Sequence, residues 1–262
     1  MSTALPKSAR PVWAEIDLAA LQGNARAMRA RLTPPTEIMA VLKANAYGHG
    51  MERIAQALGP VGITRFGVAS LEEALRLRAA GITGDILILG YSDPACAAEI
   101  IAHSLIQTVG HPEHVRALRD AARTVGIPAR VHVKIDTGMT RLGAQESQAQ
   151  EVLYQAMSHP EVSCRGIFTH FHSADVPEQL ATIAQWNELM RLLTPMKKVL
   201  GNVEIHAANS AATLNYPETH GAFVRLGISL YGGYPSTRVP RSVPLKPVLQ
   251  LKSRLVAVKQ IS

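Results

Sequence analysis

Eight short apolar runs recur along the 262-residue chain after a first helical stretch, at residues 37–43, 66–69, 85–89, 105–109, 129–135, 165–169, 203–207 and 223–226. Each reads as a strand, and the run at 37–42 is apolar enough for burial on both faces. The stretches between them carry helix signals. Residues 18–32 set Leu18, Leu21, Ala25, Met28 and Leu32 on one face behind Asp17 as N-cap. Ser70-Leu71-Glu72-Glu73 reads as a capping box opening a helix that stops at Gly81. Alternation alone also fits an open, doubly wound sheet, but eight β-then-α units predict an α/β fold closed as a TIM (β/α)8 barrel. At this length, 47% hydrophobic residues suffice for one large barrel or two smaller cores.

The pattern changes after Tyr231. Gly-Gly-Tyr-Pro and three further prolines lead into Leu249–Val258, where apolar and polar residues alternate as in a half-exposed β-strand. Residues 12–17 are its candidate partner. A lone strand here reads as the start of a second, all-β domain. The expected division is a barrel over 1–234, with 11–17 as a strand pairing with the β domain. Residues 235–262 are then a linker and the first strand of a C-terminal β domain that this sequence leaves truncated.

The net charge of +7 raises nucleic acid as a partner, but its distribution argues against that. No acidic residue follows Glu218, while Arg225, Arg238, Arg241, Lys246, Lys252, Arg254 and Lys259 do. Residues 1–218 are balanced, and only 5% of residues are aromatic, too few for base-stacking platforms. No apolar run approaches the ~20 residues that cross a bilayer, and Met1–Lys7 lacks a signal-peptide core. Cys96 and Cys164 form no CxxC or zinc-ligand spacing. The expectation is a cytoplasmic protein that engages neither nucleic acid nor membrane.

Ligands of a parallel barrel bind at the C-terminal ends of its strands. "AVLKANAYGHG" (40–50) puts Lys43 and Tyr47 at such an end. Lys134, Asp136 and Arg141 follow the fifth strand, His170 and His172 the sixth, His206, Asn209 and Ser210 the seventh, and Arg225, Gly227 and Ile228 the eighth. Two chemistries could use this set. In a metallohydrolase, His170, His172, His206 and a carbamylated Lys134 would ligate metal, although Arg225 would oppose a dication. In a pyridoxal 5'-phosphate (PLP) enzyme, Lys43 would form a Schiff base, with Ser210, Tyr47 and the backbone at Gly227-Ile228 around the phosphate and Arg225 facing the pyridine nitrogen. The second needs no metal. His103, His111 and His114 lie outside the mouth and are expected to be solvated.

"AVLKANAYGHG", "VKIDTGMTRLG", "GIFTHFHSAD", "HAANSAA" and "VRLGISLYGG", in that order, closely resemble the signature segments of bacterial alanine racemase. The resemblance runs through nearly all of residues 11–262. It implies a fold-type III PLP enzyme that interconverts L- and D-alanine for peptidoglycan. Lys43 would be cofactor anchor and base; Tyr47, Ser210, Gly227 and Ile228 phosphate contacts, with Asn209 beside them. His170 would lie beside the ring, Arg225 at its nitrogen, and Arg141 at the substrate carboxylate. Lys134 matches a position that the family often carbamylates. An arginine at the ring nitrogen stays protonated, leaves that nitrogen unprotonated and weakens the electron sink, which favours reprotonation at Cα over transamination.

Racemisation also needs an acid/base on the opposite face. The resemblance implies a tyrosine from the C-terminal β domain of a partner in a head-to-tail homodimer. No tyrosine follows Tyr234 here, so turnover by this chain alone is expected to be impaired. A single-domain PLP-binding homeostasis protein shares the barrel and is the alternative; the strand-like tail stands against it.

Overall fold

The computed structural model describes residues 11–176 and 180–261. The Met1–Lys7 segment read for a signal peptide lies outside them. A short strand β1 (Val12–Ile16) precedes the eight expected ones: β2 (Glu37–Val41), β3 (Arg65–Val68), β4 (Asp85–Ile88), β5 (Ile106–Val109), β6 (Ala129–Lys134), β7 (Val162–Phe168), β8 (Glu204–His206) and β9 (Phe223–Leu226). These eight pair in parallel in the order β8-β7-β6-β5-β4-β3-β2-β9, with helices in the crossovers. The two edges meet. Ala222 N–H donates to Ile205 O at 2.8 Å and Arg225 N–H to Ala208 O at 2.9 Å, closing a TIM barrel.

Alternation along each strand divides the burial. Ile38 and Ala40 of β2, and Ile86 and Ile88 of β4, join the large core cluster. Met39 and Leu87 instead cluster with Ile106 and Phe223. This is the two-sided burial that makes barrel strands read as continuous apolar runs. The rings of Phe168, His206 and Phe223 stack in sequence, with centroids 4.7 and 4.1 Å apart.

The N-terminal end of the barrel is held by paired charges. Arg65 forks onto Glu204 at 2.8 and 2.9 Å and reaches Glu37 at 2.6 Å, while Arg130 bonds Asp85 at 2.5 Å. Three strands are thereby cross-linked through Arg65 alone.

Local helix signals were realised with one exception. Asp17 Oδ1 accepts from Ala20 N–H at 2.8 Å and caps Leu18–Arg29, which ends before the expected Leu32. Ser70 Oγ accepts from Glu73 N–H and caps Leu71–Ala79. The reciprocal half of the expected capping box is absent: the Glu73 carboxylate accepts from Ala69 N–H and Ala44 N–H instead.

The tail forms β10 (Leu249–Ser253), antiparallel to β1 with Ile16 opposite Leu249 and Val12 opposite Ser253. The expected strand to Val258 stops at Ser253. Arg254 N–H still bonds Pro11 O at 2.8 Å, but proline has no N–H to return, so the ladder ends. The barrel core itself continues past the expected boundary at 234: Val239, Val243 and Val248 are buried in it. Asn24 holds this segment, donating to Leu230 O and Lys246 O and accepting from Lys246 N–H. Gly232 (φ +90°) permits the crossing, since a Cβ there would lie 2.1 Å from Lys246 O. Among the described residues no helix is long and apolar enough to cross a membrane.

Candidate active site

β2 ends in an unusual turn. Lys43–Tyr47 is one helical turn wound left-handed, with φ of 54° at Ala44, Asn45 and Ala46 and 52° at Tyr47. Each such L-residue costs roughly 1–2 kcal/mol. Surrounding bonds offset this: Ala46 N–H donates to Leu42 O at 2.7 Å, Gly50 N–H to Asn45 O at 3.0 Å, and Met51 N–H to Asn45 Oδ1 at 3.0 Å. Glu73 Oε1 accepts from Ala44 N–H at 2.6 Å. Both ends of the turn, Lys43 and Tyr47, line the same cavity.

That cavity, of about 460 Å³, occupies the barrel mouth and is of a size that takes small cofactors. Lys43, Tyr47, Lys134, Arg141, His170, Asn209, Ser210, Arg225, Gly227 and Ile228 all line it, whereas Asp136, His172 and His206, also expected at these strand ends, do not. Phe168, Asp175 and Pro235 line it as well. The sequence offered no signal for them beyond their nearness to strand ends.

Arg225 is the buried hub of the floor. Its terminal nitrogens donate to His206 O (3.2 Å), Thr169 O (2.8 Å), Ala207 O (2.8 Å) and His206 Nδ1 (2.7 Å), with His170 Nδ1 at 3.4 Å. Nε–H has no partner among the described residues. Burial lowers the guanidinium pKa to about 9, which leaves it charged at neutrality. Because His206 Nδ1 accepts from arginine, His206 Nε2 carries the proton and donates to His132 Nδ1 at 2.9 Å. The proton on His132 Nε2 then has no acceptor, and that atom is buried and unpartnered. Burial holds both imidazoles neutral, His132 at about 3 and His206 well below its ordinary value. Gly166 leaves room for this pair; a Cβ there would meet the His132 ring at 2.7 Å.

Burial, then the Arg225 charge, also pushes His170 down to about 3, so it faces the cavity neutral. The same two causes, with Arg141, lower Lys134 to about 8. Lys134 Nζ sits 5.7 Å from the centroid of the Phe168 ring, and Arg225 5.2 Å from it. Arg141 forms no ion pair with Asp136. That carboxylate instead accepts from Gly138 N–H and Thr140 N–H and shapes the loop carrying Arg141.

Opposite, Ser210 Oγ accepts from Gly227 N–H at 3.1 Å and Ser229 N–H at 3.4 Å. A Cβ on Gly227 would lie 2.9 Å from the Tyr47 hydroxyl, so glycine lets the phenol approach. Asn209 is chiefly an N-cap, accepting from Ala212 N–H and donating to Phe171 O.

The metallohydrolase arrangement fails on its donors. His206 is committed to Arg225 and His132, and His172 is exposed and does not line the cavity. Among the described residues no group of three or more His, Cys, Asp or Glu converges as ligands. The expectation that His111 and His114 are solvated is also corrected. Both pack edge-on against Tyr91, whose hydroxyl accepts from Gly143 N–H at 2.8 Å and steadies the Arg141 loop. His103 is exposed, as expected.

The sequence profile of the alanine racemase N-terminal domain matches residues 16–235. The curated alanine racemase of Desulfovibrio desulfuricans is 42% identical over 253 residues, covering 96% of this chain and 68% of that protein. That of Desulfosudis oleivorans is 40% identical, covering 95% and 67%. Among solved structures, alanine racemase of Clostridium difficile 630 superposes with a TM-score of 0.91 at 35% identity, covering 97% of this chain and 67% of that one. A histidine racemase from Leuconostoc mesenteroides superposes at 0.87 and 30% identity, covering 97% and 68%. The chain thus spans about two thirds of the length of these relatives.

Proposed function

The chain belongs to the alanine racemase family of amino-acid racemases, and from that premise we propose that its barrel mouth binds PLP, with Lys43 as covalent anchor and as base for the α-proton of alanine. The observation that carries the reading is the convergence in one cavity of Lys43, which has no partner among the described residues, and Arg225, whose terminal nitrogens are all engaged while its Nε–H is not. A lysine at one wall and a single spare donor on a fixed cation at the floor fit an aldehyde and a ring nitrogen.

The cofactor's part is to accept the negative charge that develops at Cα as the proton leaves. Arg225 donates to the ring nitrogen and, remaining charged, keeps that nitrogen unprotonated. His170 flanks the ring. Tyr47, Ser210 and the backbone at Gly227 and Ile228 hold the phosphate, beside Asn209. Arg141 takes the substrate carboxylate, and Lys134 bears a carbamate whose negative charge faces Arg141. Carbamylation requires a neutral amine, and a pKa of about 8 leaves roughly a tenth of Lys134 neutral at pH 7, far more than an ordinary lysine near 10.4.

Within the cavity lining, Tyr47 is the one tyrosine. The hydroxyls of Tyr231 and Tyr234 are committed to Val41 O and Val243 O. The second-face acid/base is therefore proposed to come from a partner subunit in a head-to-tail homodimer, from a β domain built on the β1–β10 ribbon beside the barrel. Alanine as substrate rests on the names of the relatives; the histidine racemase shows that the same scaffold serves another amino acid. A cytoplasmic role in D-alanine supply follows from the same reading.

The chain is incubated with PLP, reduced with borohydride and peptide-mapped. Label on Lys43 is expected; label on another lysine, or none, overturns the proposal. Deuterium wash-in at Cα, run separately on D- and L-alanine, should show exchange of one enantiomer.

A further inference from the structure

We propose that Glu73 is a positioning residue for Lys43: its carboxylate holds the left-handed turn from which Lys43 and Tyr47 enter the cavity. The inference rests on the reading of Lys43 above and deepens it.

Both Glu73 oxygens serve backbone groups outside its own helix. Oε1 accepts from Ala44 N–H at 2.6 Å and Oε2 from Ala69 N–H at 2.7 Å. Ala44 directly follows Lys43, and Ala69 directly follows β3. The first N–H groups of any helical turn have no partner within it, and Ala44 N–H opens this one. Glu73 therefore supplies a bond that the turn cannot make for itself, while clamping the turn to the end of the neighbouring strand.

The carboxylate is well placed for this. It lies in the first turn of Leu71–Ala79, where a negative charge is favoured. The nearest cation along the helix, Arg76, is engaged by Glu52 at 2.7 Å rather than by Glu73. An ionised carboxylate accepts two charge-assisted bonds, whereas a glutamine offers one acceptor oxygen and an NH2 that repels the second N–H. Four successive residues at φ near +53° relax when an outside bond is lost. Relaxation displaces the Lys43 amine and the Tyr47 phenol from the cavity wall, although Glu73 itself does not line the cavity.

The test uses the full chain with Glu73→Ala, Glu73→Gln and, as control, Ser70→Ala, which removes the helix cap but leaves the Glu73 bonds. Amide hydrogen exchange over residues 43–50 is read without cofactor, and PLP retention and Lys43 labelling are read by absorbance and borohydride mapping. Glu73→Ala should speed exchange over 43–50 and weaken PLP retention by about 10- to 100-fold, the range for charge-assisted bonds, with Glu73→Gln intermediate. Ser70→Ala should leave both within about twofold, since no bond to the turn is lost. Unchanged exchange in both Glu73 variants, or an equal change in Ser70→Ala, overturns the proposal. Should Glu73→Ala not fold, Glu73→Gln decides. A wild-type chain that takes up no PLP overturns the cofactor reading, and exchange over 43–50 still decides the role of Glu73.

Discussion

The two ends of the barrel treat charge in opposite ways. At the N-terminal end Arg65 and Arg130 are matched to Glu37, Glu204 and Asp85, bridging strands that lie far apart in the chain. At the mouth, Lys43, Lys134, Arg141 and Arg225 gather around one cavity, and among the described residues none forms an ion pair. Asp175 lines the same space without pairing to any of them, and Asp136 is turned onto its own loop. Paired charge at one end stabilises and positions. Uncompensated positive charge at the other is held for a ligand that brings its own anions, such as a phosphate and a carboxylate.

The sharpest way to break this contrast is at Lys43. Lys43→Ala should abolish borohydride-fixable PLP altogether, because no other lysine in the cavity stands at the end of the left-handed turn. Loss of label with unchanged thermal stability is the expected pair of results. Label transferred to Lys134 would mean that the mouth lysines are interchangeable and that the turn does not select one.

The second prediction concerns Lys134 and pH. Its folded pKa, lowered to about 8, lies below the roughly 10.4 of an unfolded lysine. Between these values the unfolded chain binds more protons, so stability should rise with pH from about 8 to about 10.4, and the penalty is fully present below pH 8. Lys134→Met should remove that rise, as followed by chemical denaturation across pH. Bicarbonate should remove part of it as well, by converting the amine to a carbamate, with the mass of one CO2 found on the peptide holding Lys134. A rise that persists in Lys134→Met would place the titrating group elsewhere.

Legibility from sequence follows the same line between local and distant causes. The eight strands were readable because burial on both faces writes itself into consecutive residues such as Ile38–Val41. The site residues were readable because strand ends in a parallel barrel share one mouth. The left-handed turn was not, since Ala44, Asn45 and Ala46 do not announce positive φ as Gly48 and Gly50 do. Glu73 was misassigned because Ser-x-x-Glu is a sound local signature, whereas the partner that wins, Ala44 N–H, lies 29 residues away. The His132–His206 bond joins residues 74 apart. Val239, Val243 and Val248 sit among prolines without a period, so their burial in the barrel left no pattern to read.

The smallest expected effect lies at the paired end and tests whether the two ends are independent. Arg65→Ala removes the fork onto Glu204 and the bond to Glu37, leaving those two carboxylates without their cation while Asp85 keeps Arg130. These side chains are about a fifth to three fifths exposed, so solvent already screens much of the attraction. A cost of about 1 kcal/mol is expected, near the upper limit for exposed pairs because the arginine is bidentate. Added salt should shrink it, since screening weakens the lost attraction and the new repulsion alike. PLP uptake and the exchange of residues 43–50 should not change, because the core of Met39, Leu87, Ile106 and Phe223 separates the two ends. A drop in PLP uptake in Arg65→Ala would show that the lower charges shape the mouth through that core. The contrast between a structural end and a ligand end would then describe one coupled network.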